Sequence, residues 1–542
     1  MAFSKILPEL LDEILQYFHQ DYKTLYSCIL VNRLWCNLAI PLLWENPFSI
    51  EFPKNYHFIE IYLYNLNDDD KTKLIQYGMN KDLFPLNTLF KYPSFIKHLD
   101  INKISKSIEY WEVTIRTSET NNNLQNSNFI KLICKSLIQI FIENEVNLYS
   151  LKVLLGSFDD IFELILQNSN FIGNIKKLKL DLLKISESST KFLTFLSSNC
   201  NSISSLSQSF QYYNDYKHQQ IMENSLSQII NSQKNLRKIL FRSNKFPLYQ
   251  SLLSLKNPNC SNTLNTIIFY HINFENIIIL NEVFNQLNVL ESIHIINCHC
   301  IDTKFVQQII NITKPFKFKL KSLILRKVPQ FEPLDLLLQH FGCYLENLGI
   351  FVENKPQSSQ LFKSVTKYCS KIKFLLLGLG INYQNINLVF NLIDNIKQSL
   401  NCLVIDVTID NNDNNNFSSI ILQNLGQILP FKLDYLNLCL SINESDLEIF
   451  LKNSQNTFIK KLLIKIKRKE KYVDIYPYIK EYIMKKKRVK YLAISEISDK
   501  KNWFSLKDIV KEFKLYDIQI LDYYILRNDI DSINDILEVF KE

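Results

Sequence analysis

Apolar residues follow two different rhythms along this chain of 542 residues. Up to residue 44 the rhythm is helical. Leu7, Leu10, Leu11, Ile14, Leu15 and Phe18 recur at i, i+3, i+4 and i+7, which gives an amphipathic helix one apolar stripe. Ser4 stands where a cap belongs, and Pro8 falls in the first turn, where a missing N–H breaks no bond. Asp21 precedes a second apolar group, Leu25, Cys28, Ile29 and Val31. Asn32-Arg33 then leads into Leu34, Trp35, Leu38 and Ile40, a helix expected to stop at Pro41. Three helices this short cannot bury all these side chains among themselves, so another surface has to cover some of them.

From Leu148 the rhythm changes to L-x-x-L-x-L, a short strand pattern followed by a helical one. Fourteen copies run from Leu148/Leu151/Val153 and Ile175/Leu178/Leu180, through Ile203/Leu206 with no apolar third residue, to Val489/Leu492/Ile494 and a weak Ile518/Leu521/Tyr523. The thirteen steps from 148 to 518 average about 28.5 residues. A fainter copy, Ile96/Leu99/Ile101, lies upstream, and amphipathic segments at 158–167, 305–312, 388–396 and 446–451 read as helices between the strands. Self-similarity at this period is the leucine-rich-repeat signature, so the expected fold class is α/β: an irregular leucine-rich-repeat solenoid with parallel strands on its concave face and helices on its convex face. Irregularity is expected because the Asn or Cys that usually follows the strand is present only as Asn244 and Cys298. An all-helical array of HEAT type is the alternative, although its longer period of roughly 40–47 residues agrees less well. The expected organisation is a helical module at 1–47, a joining region at 48–147, and repeats over 148–542.

Alternate strand residues should face outward on the concave side. Tyr270, His294, Arg326, Phe351, Phe374, Tyr435, Lys461, Lys465 and Lys467 take such positions and are the candidate target-binding face, since aromatic side chains and Arg anchor interfaces. Net charge is +8, and 459–512 alone carries 17 Lys or Arg against 7 Asp or Glu. The run Lys485-Lys486-Lys487-Arg488 could hold an acidic substrate or nucleic acid, although a charge run is more often a solvated face.

Candidate chemistry is sparse. Eight glycines is about 1.5%, against roughly 7% in average proteins, and no phosphate loop, dinucleotide fingerprint, nucleophile elbow or H-E-x-x-H occurs. Cys298-His299-Cys300 has no second ligand pair, and His294, Cys298 and Cys300 sharing a strand face is the best metal case it offers. No catalytic residue, cofactor or metal is therefore assigned. Eleven scattered cysteines make no disulfide framework, no run of 18 apolar residues suggests a membrane span, and Asp12 and Glu13 interrupt any signal-peptide core. A cytoplasmic or nuclear setting is expected.

One stretch is more specific. Leu7-Pro8-Glu9-Leu10-Leu11, Ile14-Leu15-x-Tyr17-Phe18, Leu25, Val31-Asn32-Arg33-Leu34-Trp35 and the tail Ala39-Ile40-Pro41-Leu42-Leu43-Trp44 resemble the F-box pattern in order and spacing, over about 45 residues. The tail resembles that of fungal F-box proteins. The resemblance implies a three-helix F-box that packs on the Skp1 adaptor and joins a cullin-RING ligase of SCF type. Leu7, Pro8, Leu11, Ile14, Leu25, Ile29, Val31 and Trp35 would lie in or directly behind that contact. The expected function is a non-catalytic substrate receptor holding a protein target on its repeats. The alternatives are a Skp1-bound scaffold outside a ligase, or a nucleic-acid-associated protein using the basic C-terminal repeats.

Overall fold

The computed structural model describes residues 8–19, 21–50, 55–76, 79, 87–115, 123–156, 159–182, 186–210, 216–243, 248–312, 318–325, 330–351, 355–378, 381–407, 416–466, 475–496, 503–524 and 527. Ser4, Leu7, Asn244, Arg326 and Lys467 lie outside the described residues. The chain divides into two compact units, Met1–Ile267 with Asn285–Leu290, and Ile268–Phe284 with Glu291–Glu542.

The first unit opens with three helices: α1 (Pro8–Gln16), α2 (Tyr22–Ile29) and α3 (Arg33–Trp44). The polar residues between the stripes start them. Asp21 accepts a hydrogen bond from the Thr24 N–H at 3.1 Å, and Asn32 accepts one from the Trp35 N–H at 3.0 Å. Pro41 does not stop α3, contrary to expectation. The helix runs on to Trp44 because Ala39, Ile40 and Leu42, on both sides of the proline, are buried, and that packing offsets the one lost bond. Leu11, Leu15, Leu25, Cys28, Ala39 and Leu42 form the module's own core, with Phe18, Ile29, Trp35, Leu38 and Leu43 packed against it.

The stretch read as a joining region, with a faint first copy at 96–101, is helical over much of its length. It holds α4 (Phe58–Leu63), α5 (Asp68–Gln76), α6 (Ile101–Ile115) and α7 (Asn123–Glu143). Tyr62 meets Trp44 and Phe141 edge-on at 5.4 and 5.2 Å, and the buried Trp111 donates its indole N–H to Glu60 Oε1 at 3.0 Å.

The strands follow. In the first unit β1 (His98–Asp100), β2 (Ser150–Leu155), β3 (Lys177–Leu182), β4 (Ser205–Phe210) and β5 (Lys238–Ser243) pair in parallel, each with its sequence neighbour. After β6 (Thr266–Tyr270), the second unit continues in the same way with β7 (Ser292–Ile296), β8 (Lys319–Leu325), β9 (Asn347–Ile350), β10 (Phe374–Leu377), β11 (Cys402–Asp406), β12 (Lys432–Leu440), β13 (Phe458–Ile466), β14 (Val489–Glu496) and β15 (Gln519–Ile520). Helices at Asp159–Leu166, Thr303–Ile310, Ile386–Ile396 and Glu444–Asn453 stand where the amphipathic segments predicted them. The chain is therefore α/β, not an all-helical array.

Register reproduces the sequence period. Leu99, Leu151, Leu178, Leu206 and Ile239, the middle residues of successive copies, are side by side in the first unit. Leu323, Leu348, Leu375, Leu403, Leu436, Leu462 and Leu492 are side by side in the second. Two copies depart. A register shift between Ile293 and His294 sets Ile295 beside Leu323, and at the last strand Ile520, not Leu521, stands beside Leu492. A recurring hydrogen bond ties three of the copies to the one before: Ser202, Thr263 and Ser399 donate to the carbonyls of Ile175, Leu236 and Ile372, at 3.2, 2.9 and 2.8 Å and each 27 residues back. Cys298 fills the expected turn position, its Sγ 3.4 Å from the Phe269 carbonyl.

Candidate functional site

On α1 to α3 the buried stripe faces inward, and a second apolar stripe is left facing out. Leu10 and Ile14 are exposed on α1 and Tyr17 just after it, at i, i+4 and i+7; Tyr26 is exposed on α2 and Leu30 just after it, Val31 just before α3 and Leu34 on it. Tyr17 is 89% exposed, Leu30 72% and Val31 58%. Residues of this kind scattered singly are ordinary, but seven within 25 positions on three packed helices are what a docking surface requires. The residues singled out in the sequence split accordingly. Ile14 and Val31 are exposed, as is Pro8 at the start of α1; Ile29 and Trp35 are half-buried; Leu11 and Leu25 belong to the core behind. Leu10, Tyr17, Tyr26, Leu30 and Leu34 were missed. The one stripe read along the first helix is split in the structure: Leu11 and Leu15 face in, while Leu10 and Ile14 face out together with Tyr17.

The outward-facing strand positions of the second unit are for the most part closed off. Tyr270, His294, Phe374 and Tyr435 are buried, Phe351, Lys461 and Lys465 half-buried. Instead of offering free donors, His294 Nδ1 shares a 2.8 Å bond with the Ser322 hydroxyl, which accepts a second from Asn347 Nδ2 at 2.7 Å. Side chains of successive strands also lie across one another. Phe351 covers Gly378 so closely that a Cβ there would fall 1.9 Å from its ring, which is why this position has no side chain. Over β11 to β13 the chain covers itself. Tyr523 donates to Asn437 Oδ1 at 3.1 Å, Arg527 pairs with Asp406 at 3.4 Å, and the Lys465 ammonium lies 5.7 and 5.3 Å from the ring centres of Tyr523 and Tyr524.

The first unit presents a different face. Lys152, Lys179 and Ser207 stand in one row across β2 to β4, Lys177, Ser205 and Lys238 in a second across β3 to β5, and Asp181, Ser209 and Arg242 in a third. None of these side chains is buried. Lys152 is paired with Asp100 at 2.9 Å. Desolvation pulls the Lys179 ammonium below the usual lysine range, against the opposing charge of Asp181.

The basic run of the last repeats is not one patch. Lys485, Lys486 and Lys487 are exposed, with Lys485 against Glu481 at 2.5 Å, but Arg488 is buried. Its guanidinium donates to the carbonyls of Tyr482 (2.8 Å), Leu451 (3.3 Å) and Ser454, and to Ser454 Oγ (3.1 Å), thereby capping the open end of helix Glu444–Asn453. Burial lowers its pKa to about 10.

His294, Cys298 and Cys300 do not gather. The chain turns out of strand geometry at Asn297 and Cys300, whose φ values are 54° and 56°, and burial pushes the Cys298 thiol up to about 12. All eleven cysteines are free thiols. Among the described residues a different group comes together: His19 after α1, Glu45 after α3, and His98 in β1. Glu45 Oε1 is 2.5 Å from His19 Nδ1 and 3.8 Å from His98 Nε2, while Oε2 is 3.1 Å from Lys97 Nζ. The Glu45 carbonyl also accepts both the Lys97 and His98 N–H groups. Separations of 26 and 53 residues gave no local signal for this cluster. No family model and no curated protein matches the sequence. Among the described residues no helix is long and apolar enough to cross a membrane.

Proposed function

We propose that this chain is a non-catalytic recognition subunit, an F-box protein with leucine-rich repeats, that docks on the Skp1 adaptor of an SCF-type ubiquitin ligase and holds a protein target. The supporting observation is the exposed stripe Leu10, Ile14, Tyr17, Tyr26, Leu30, Val31 and Leu34, on helices whose opposite face is already a core. An apolar surface of that kind supplies the contact center of a stable interface. Residues that resemble the F-box pattern contribute to both faces: Leu10, Ile14, Tyr17, Val31 and Leu34 to the exposed one, Leu11, Leu15, Leu25 and Leu42 to the core. Ubiquitin transfer would reside in the partner subunits, and this chain would contribute proximity and orientation.

The target is assigned to the first unit, where Lys177, Lys179, Lys238 and Arg242 alternate with Ser205, Ser207 and Ser209, a surface that complements an acidic segment. That shifts the contact away from Tyr270, His294, Phe374 and Tyr435, which are buried.

The test uses the full chain. Purified Skp1 should be retained by the unmutated protein and lost with Ile14→Asp/Val31→Asp, whose circular dichroism should be unchanged because both side chains are exposed. No retention by the unmutated chain would sink the proposal. A cullin that fails to co-purify while Skp1 does would leave the scaffold alternative. Nucleic-acid binding would require steep salt dependence that vanishes on reversing Lys485, Lys486 and Lys487; Arg488, buried against carbonyls, is not part of such a surface.

A further inference from the structure

We propose that His19, Glu45 and His98 bind one divalent transition-metal ion of the zinc type. The three ligand atoms lie within 4.8 Å of one another. Zn–N and Zn–O bonds of about 2.0–2.2 Å place tetrahedral ligand atoms roughly 3.3 Å apart. The observed 2.5 and 3.8 Å contacts of Glu45 Oε1 bracket that spacing, so small side-chain adjustments suffice.

The supporting groups are those a metal site needs. His98 Nδ1 is held by Ser150 Oγ at 2.8 Å, which orients the ring and turns Nε2 toward the carboxylate, as the outer partner of a metal-binding histidine does. The Glu45 side chain is 4% exposed, and the two imidazoles and the Lys97 ammonium surround its carboxylate. His19, at 39%, opens the site to solvent and leaves the fourth position to water. Two imidazoles with one carboxylate suit zinc, nickel or copper, whereas calcium and magnesium take all-oxygen sets.

One group opposes the ion. Lys97 Nζ holds the other carboxylate oxygen, but its side chain is 51% exposed and can swing into water. That cost and the missing fourth protein ligand make the expected affinity weaker than that of closed four-ligand sites. The ion would join the end of α1, the end of α3 and β1 through side chains, where backbone bonds from Lys97 and His98 to Glu45 already join two of them.

The experiment titrates chelator-treated full-length protein with Zn2+ in a calorimeter and with Co2+ as a spectroscopic probe. The expected result is one equivalent of either ion, Co2+ absorption without a thiolate charge-transfer band, and at least a tenfold weaker affinity in His19→Gln and in His98→Gln, but not in Cys36→Ser or His299→Gln. Circular dichroism checks each variant, and the half-exposed His19 provides a reading should His98→Gln not fold. No saturable uptake up to about 100 µM, uptake that survives both histidine substitutions, or a sulfur-type Co2+ spectrum would overturn the assignment.

Discussion

Replacing Arg488 by methionine should lower the stability of the second unit by about 3 kcal/mol, seen as a fall in its calorimetric midpoint. The guanidinium is buried and donates to three carbonyls and one hydroxyl. Hydrogen bonds from a charged donor contribute about 1.5–3 kcal/mol each, and buried carbonyls left bare cost about 1–3 kcal/mol apiece. Against this stands the relief of no longer burying a cation, the desolvation that also lowers its pKa. The loss prevails because several acceptors are orphaned at once. Lysine should rescue little, since one ammonium cannot reproduce a planar fork aimed at Leu451, Ser454 and Tyr482. A substitution that leaves the midpoint in place would mean that water replaces the guanidinium at the helix end.

Gln208→Leu should act in the opposite direction, raising the stability of the first unit by about 2 kcal/mol. Gln208 stands in the row that Leu180 and Phe241 continue on either side, and it is wholly buried. Neither its Nε2 nor its Oε1 has a hydrogen-bond partner among the described residues. Leucine removes two unsatisfied polar atoms from an apolar layer at similar volume. Gln208→Glu should be strongly destabilising, because it buries a charge at the same place. Hydrogen exchange of the β3 to β5 amides would read both changes; slower exchange in the leucine variant is expected, and faster exchange would refute the assignment of a bare amide.

The strands were legible in the chain because burial on one sheet face imposes a two-residue alternation, and stacking imposes a near-constant period. Leu375 and Leu403 pair where spacing alone sets them. Ile293 does not pair with Leu323, because a register shift beside His294 is decided by contacts across strands and leaves no trace in the local pattern. Pro41 misled for a similar reason: local propensity says stop, and the packing of Ala39 and Leu42 overrides it. Outward-facing residues were identified by parity, but parity does not say what lies above them. Phe374 and Tyr435 alternate correctly and are nonetheless buried. The exposed stripe of α1 was half legible, since Ile14 was chosen and Tyr17 was not. The His19–Glu45–His98 cluster was illegible because it depends on how α1, α3 and β1 meet.

Tyr523, bonded to Asn437, and Arg527, paired with Asp406, make the second unit's face a site already taken by the chain itself. A visitor to β11 to β13 therefore competes with a tethered rival whose effective concentration is on the order of millimolar. Its measured affinity is the intrinsic one reduced to the fraction of molecules in which that rival has lifted off. Tyr523→Ala should tighten binding of any partner that uses this face and leave binding on β2 to β5 unaltered; equal affinities with and without the tyrosine ring would show that no competition exists. Selectivity at this face is then set as much by how firmly Tyr523 and Arg527 are held as by anything the visitor brings.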